Sequence, residues 1–237
     1  MRSACALRYH ELMGGGPTCV YLHGLGLDST SLLGLASHPL LRGMRSLVVD
    51  FLGFGRSDKP DDFGYTIEEH ADAVIGLLAA LDVSGSALVG HSMGGSVAIM
   101  LASRRPDLVS RLVVAEANLD PGMGPVSASI LAHTEEAYVA RAGATGLASP
   151  IAMYRSARSL TLERRPSFHE LLLEIDAPRT FLVGSRTLDL DEKPVSGECG
   201  GGLVGTPVER VVVPDAGHMM IDDNVDAVAR SVARALA

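Results

Sequence analysis

The chain has 237 residues, 47% of them hydrophobic, with a formal net charge of −8 and three cysteines. That length and apolar content suit one α/β domain with a small insertion and exclude a disordered chain. The acidity, without a basic run, speaks against a nucleic-acid groove or a membrane-binding surface, and Cys5, Cys19 and Cys199 have no disulfide or zinc spacing.

Short apolar or β-branched runs alternate with helical patterns along the chain. Ala4–Tyr9 reads as an antiparallel edge strand. Thr18–His23, Arg45–Asp50, Ala87–Gly90, Leu112–Glu116, Arg179–Gly184 and Val208–Val213 read as core strands. Several are apolar on both faces, as a parallel sheet covered by helices requires. Thr66–Leu81 reads as a helix opened by a capping box, Thr66 with Glu69. A second helix spans Ser92–Ser103, stopped by Pro106, and Asp222–Leu236 closes the chain. This alternation predicts a doubly wound, mostly parallel α/β sheet.

Residues 120–175 break the rhythm with two or three short helical patterns, Ser127–Arg141, Ser149–Leu160 and Ser167–Leu173. The reading is a helical cap inserted into a core made of 1–119 and 176–237, near the C-terminal strand ends. Its arginines are matched by acids, so no anion trap is expected. Its Met123, Ile130, Leu131, Tyr138, Leu147, Ile151, Met153 and Tyr154 are expected either to line an apolar pocket or to form the cap's own core. Val195–Val208 is glycine-rich and reads as a loop, because no G-x-G-x-x-G joins a strand to a helix there. The start, MRSACALRYHELMGGG, has no long apolar segment, and no run reaches membrane-spanning length, so a soluble cytoplasmic protein is expected.

The chemistry concentrates in LVGHSMGGSVA. Gly90-His91-Ser92-Met93-Gly94 matches G-x-S-x-G between a predicted strand and a predicted helix. A serine on so tight a turn stands clear of the sheet at a helix N-terminus, where amides favour developing negative charge. Three further stretches accompany it: His23-Gly24-Leu25-Gly26 after the first core strand, Asp50-Phe51-Leu52-Gly53-Phe54-Gly55-Arg56-Ser57, and Asp215-Ala216-Gly217-His218 after the last strand. On these four motifs the chain resembles the α/β-hydrolase fold family over nearly its whole length. The resemblance makes Ser92 the nucleophile and His218 its base. The backbone N–H groups of Leu25 and Met93 would hold an oxyanion. Among the other histidines, His23 reads as a loop holder, His91 lies inside the elbow, and His70 lies on a helix behind the sheet. His10, His38, His133 and His169 follow no motif.

The base needs an acid. Most of the family places it three residues after a glycine that ends the next-to-last strand. Here that glycine is Gly184, and the third residue on is Thr187, which carries no charge. VVAEAN resembles the corresponding strand of haloalkane dehalogenases, whose acid is displaced there, so Glu116 is the leading candidate. Asp189, Asp120 and the absence of a conventional acid stay open. Dehalogenases and epoxide hydrolases of this fold carry aspartate at the elbow, so Ser92 points instead to hydrolysis of a carboxylic ester, thioester or lactone. The expected partner is a largely apolar small-molecule acyl substrate, and no metal or organic cofactor is implied. An acyltransferase, a carbon–carbon bond hydrolase and a non-catalytic ligand receptor are the alternatives.

Overall fold

A computed structural model of the chain describes residues 5–119, 124–143, 146–188 and 201–237. Seven strands form one sheet in the order β1-β3-β2-β4-β5-β6-β7. They are β1 (Arg8–Leu12), β2 (Gly16–Leu22), β3 (Met44–Asp50), β4 (Ser86–His91), β5 (Val109–Ala115), β6 (Arg179–Gly184) and β7 (Glu209–Val213). All pairs are parallel except β1 with β3. The edge strand is antiparallel as expected but lies further along the chain than Ala4–Tyr9. Tyr9 pairs with Val49 and Leu12 with Ser46, while residue 4 lies outside the described residues.

The central strands are apolar on both faces because each face meets its own helical layer. Val20 and Leu22 of β2 face one core with Leu47, Val49, Leu88 and Val114. Cys19 and Tyr21, out of phase by one, face the other with Val48, Val89 and Val113. The first layer holds α2 (Ile67–Ala80) and α3 (Met93–Arg104). The second holds α1 (Thr30–Ala36), α9 (Met220–Asp223) and α10 (Val225–Leu236). The reading had no helix at α1, and it ran α9 and α10 together. Asn224 separates that pair, its side chain accepting from Ala227 N–H as the N-cap of α10.

Between β5 and β6 come α4 (Pro125–Leu131), α5 (Glu135–Ala142), α6 (Pro150–Thr161) and α7 (Phe168–Glu174), and α8 (Ser185–Leu188) follows β6. The single predicted helix Ser127–Arg141 is therefore two, parted where Thr134 caps α5 through Ala137 N–H. α7 packs on α3, and α6 packs on α2. Ala152, Leu160, Phe168, Leu171 and Leu172 join the first core, so these helices share the apolar interior of the sheet layer. The glycine-rich stretch contributes a short 3-10 turn, Gly201–Leu203, with Leu203 buried. Its residues 195–200 lie outside the described residues.

The seam between α2 and α6 is polar at its centre. Ser159 Oγ accepts from Ile67 N–H, and fully buried His70 donates from Nε2 to Ser156 Oγ at 3.0 Å, which donates to Tyr65 O. His70 also packs among Phe51, Phe54, Phe63 and Tyr65. Burial, reinforced by the nearby His23, pushes its pKa down from 6.5 to about 3. The unfolded chain binds a proton here that the fold refuses. Stability is therefore full above pH 6.5 and falls as pH drops toward 3. His70→Gln keeps a donor for Ser156 and removes the titrating ring. Unfolding free energies from denaturant melts across this range are expected to fall less steeply in the variant, by up to about 1.4 kcal/mol per pH unit. Parallel slopes in the two proteins would refute this assignment.

Candidate active site

The strand order reverses between β2 and β4, and a crevice at the C-terminal ends of strands is the expected result. The loops after β2 and β4 meet there. Ser92, between β4 and α3, has φ 53° and ψ −121°, a strained conformation for a residue with a side chain. The turn is tight enough that a Cβ on Gly90 would lie 2.4 Å from Gly94 O, and α3 starts so close to β2 that a Cβ on Gly94 would lie 2.1 Å from Leu22 O. Met93 opens α3, so its N–H has no acceptor within the helix.

The loop after β2 closes against this elbow. A Cβ on Gly24 would sit 3.3 Å from Ser92 Cβ. His23 fixes that loop: Phe51 N–H donates to its Nε2 at 3.2 Å, leaving its Nδ1–H to donate to Gly24 O at 2.8 Å. Asp50 ties the same region to the β3 turn by accepting from Ser29 N–H and Arg56 N–H. Leu25 follows directly and lines the cleft. The described geometry thus puts the residues read as oxyanion donors in the two loops that flank Ser92.

The structure brings Ser92, His218 and Glu116 together. His218 Nε2 lies 3.1 Å from Ser92 Oγ, and His218 Nδ1 lies 3.1 Å from Glu116 Oε2. A carboxylate only accepts, so the ring proton belongs on Nδ1 and the Nε2 lone pair faces the hydroxyl. Glu116 is one residue past β5, with φ 45° and no solvent exposure. Its backbone N–H donates to Leu182 O, while Oε1 accepts from Gly184 N–H at 2.8 Å and from Thr187 Oγ1 at 2.7 Å. Burial raises its pKa, but donation from His218, Thr187 and Gly184 outweighs it and holds the carboxyl below its ordinary value. Asp120 and Asp189 lie outside the described residues.

Three parts of this arrangement escaped the sequence reading. Thr187, passed over because it carries no charge, supplies a hydrogen bond to the acid from the slot where the family usually carries its own. Gly184 supplies a second through its backbone. His91, set aside as part of the elbow, reaches His218 O through Nε2 at 2.7 Å. The motif placed His91 beside the nucleophile, but its partner is 127 residues away in sequence.

Above Ser92 opens a cavity of about 660 Å³, walled by Leu25, Leu27, Pro125, Val126, Leu160 and Met219, with Asn118, Ser127 and Arg186 as polar groups. Arg186 is paired with Asp223 at 2.5 Å. The 120–175 segment contributes α4 and the end of α6 to the wall, but through residues other than those expected. Ile130 is buried, Ile151 and Met153 pack on the core, Tyr154 donates to His133 O, and Leu147 is exposed. Helix rotation explains the difference: α4 turns Val126 and Ser127 to the cleft and Ile130 inward. Met123 lies outside the described residues. No group of His, Cys, Asp and Glu among the described residues could hold a metal ion, and no helix there is long and apolar enough to cross a membrane.

Residues 17–193 match the family model described as alpha/beta hydrolase fold, and the chain belongs to that family. Among relatives, it is 37% identical to 2-hydroxymuconate semialdehyde hydrolase of Pseudomonas sp. strain CF600 over 103 residues, 43% of this chain and 36% of that one. It is 42% identical to sn-1-specific diacylglycerol lipase ABHD11 of Mus musculus over 113 residues, 46% of this chain and 36% of that one. The matches span about a third of the length of these curated relatives. Among solved structures, a thermophilic esterase from Thermogutta terrifontis superposes with a TM-score of 0.76 at 23% identity, covering 98% of this chain and 93% of that one. That likeness speaks for the fold.

Proposed function

We propose that the protein is a serine hydrolase that cleaves a carboxylic ester through an acyl-enzyme on Ser92. The observation that carries the reading is the continuous hydrogen-bonded chain Ser92–His218–Glu116 under an apolar cavity. A serine hydroxyl is a weak nucleophile at neutral pH unless a base takes its proton as it attacks. His218 Nε2 takes that proton, and Glu116 stabilises the imidazolium that results. The carbonyl oxygen becomes an oxyanion held by the N–H groups of Leu25 and Met93. His218 then protonates the departing alcohol, and a water activated by the same ring releases the acid and restores Ser92. Residues 120–175 act as a cap whose α4 and α6 shape the acyl pocket.

The lipase and esterase among the similar proteins support ester cleavage. The likeness to 2-hydroxymuconate semialdehyde hydrolase favours a second reading, hydrolysis of a carbon–carbon bond by the same residues. A panel of p-nitrophenyl acyl esters of rising chain length in ¹⁸O-water tests the ester reading. Turnover that rises with chain length, with label in the released carboxylate, is expected. No p-nitrophenol above background across the panel would end the ester reading.

A further inference from the structure

We infer that His91 is a positioning residue of the site: it clamps the backbone of His218 from the turn that carries the nucleophile. The inference deepens the serine-hydrolase reading and rests on it. His218 sits on the loop from β7 to α9, and its side chain is 41% exposed, so packing alone holds the ring weakly. The loop before it is tied down at two of its peptides, Pro214–Asp215 and Ala216–Gly217. Asp215 N–H donates to Ser185 Oγ, Gly217 N–H to Asp223 Oδ2 and Arg186 N–H to Ala216 O, while Asn224 Nδ2 donates to Pro214 O. On the far side of the His218 Cα, its own carbonyl accepts from His91 Nε2 at 2.7 Å. The peptide that follows that Cα is therefore anchored directly and the Ala216–Gly217 peptide is anchored one residue before it, which restricts the direction of the Cα–Cβ bond and the reach of the ring.

The clamp also closes a ring of bonds. Ser92 is covalently joined to His91, His91 is hydrogen-bonded to His218, and His218 returns to Ser92 Oγ at 3.1 Å. A displacement of the base relative to the nucleophile strains the whole circuit. Because a carbonyl only accepts, His91 must carry its proton on Nε2. Burial, followed by the neighbouring His218, pushes its pKa down to about 4, so it stays a neutral donor 5.2 Å, ring to ring, from the base. A neutral donor fixes the base without placing a charge that would oppose its protonation.

The test compares amides of different reach. In His91→Gln the terminal N–H falls near the position of Nε2. In His91→Asn it falls one bond shorter and misses the carbonyl. With a p-nitrophenyl ester as substrate and a fluorophosphonate probe for Ser92, His91→Asn is expected to lose about 10²-fold in kcat and in labelling rate, the cost of a misplacement near 1 Å. KM changes little, and His91→Gln recovers most of the loss. ¹⁵N-histidine NMR supplies a readout that needs no turnover: wild type and His91→Gln keep His218 in one tautomer with the proton on Nδ1, while His91→Asn shows mixed or exchange-broadened signals. Unchanged His218 signals and labelling in His91→Asn would overturn the clamp, as would equal losses in the two amides. Failure of the probe to label wild type would instead count against the serine-hydrolase reading, and the NMR comparison would still decide the clamp.

Discussion

Glu116→Gln is expected to lower kcat by about 10⁴-fold while leaving the fold intact, because it leaves the base in the wrong tautomer. The direction of the substitution is set by the donors around the carboxylate. Oε1 accepts from both Gly184 N–H and Thr187 Oγ1. An amide placed there must turn its oxygen toward that pair, since its NH₂ would face two donors. The NH₂ then points at His218 Nδ1, where the wild type presents Oε2. Nδ1 must accept, the ring proton moves to Nε2, and the atom facing Ser92 Oγ can no longer take a proton. Steady-state kinetics with an activated ester measure the loss. Near-wild-type turnover would show that the acid lies elsewhere, with Asp189 and Asp120 as the remaining candidates. Thr187→Val removes one of the two donors and leaves Gly184 N–H in place, so a much smaller loss is expected.

The legible parts of this molecule are those whose cause is local. α2 could be read to the residue because Thr66 and Glu69 satisfy each other's backbone donors, and that pairing is written three residues apart. The elbow was legible because glycines bracket the only strand-to-helix turn with a G-x-S-x-G pattern. α1 was not: it is seven residues long, contains Gly34, and its Ser29 cap makes no side-chain bond, so no start signal stood out. The breaks at Thr134 and Asn224 did leave signals, an N-cap residue followed by a donor three positions on. Continuous apolar periodicity across both masked them. At the site, motif order pointed to Ser92 and His218, whereas Glu116 emerged from a vacancy at Thr187 together with the likeness of VVAEAN to the haloalkane dehalogenase strand. That Thr187 then serves the displaced carboxylate is a tertiary fact across 71 residues, which no local pattern encodes. The cavity wall depends in the same way on how α4 rotates against the sheet.

Ser92→Ala is expected to cost more than any other single change, about 10⁶-fold in kcat/KM, because no neighbouring group can replace the attacking oxygen. His218 and Glu116 stay hydrogen-bonded to each other, but the base has no hydroxyl to deprotonate. The cavity and the N–H groups of Leu25 and Met93 persist, so substrate still binds, and any residual rate reflects what binding and oxyanion stabilisation supply alone. Covalent labelling by a fluorophosphonate disappears in the same variant. Activity within tenfold of wild type would remove Ser92 from the mechanism. Stability should move the other way. The backbone at residue 92 keeps φ 53° and ψ −121° whatever its side chain, and alanine inherits that strain. Ser92→Gly relieves it, so the glycine variant is expected to be more stable than the alanine variant by about 1 kcal/mol, though just as inactive. Thermal melts of the pair measure how much conformational strain the elbow carries to hold one oxygen above the sheet. A glycine variant no more stable than alanine would mean that the turn is held without strain.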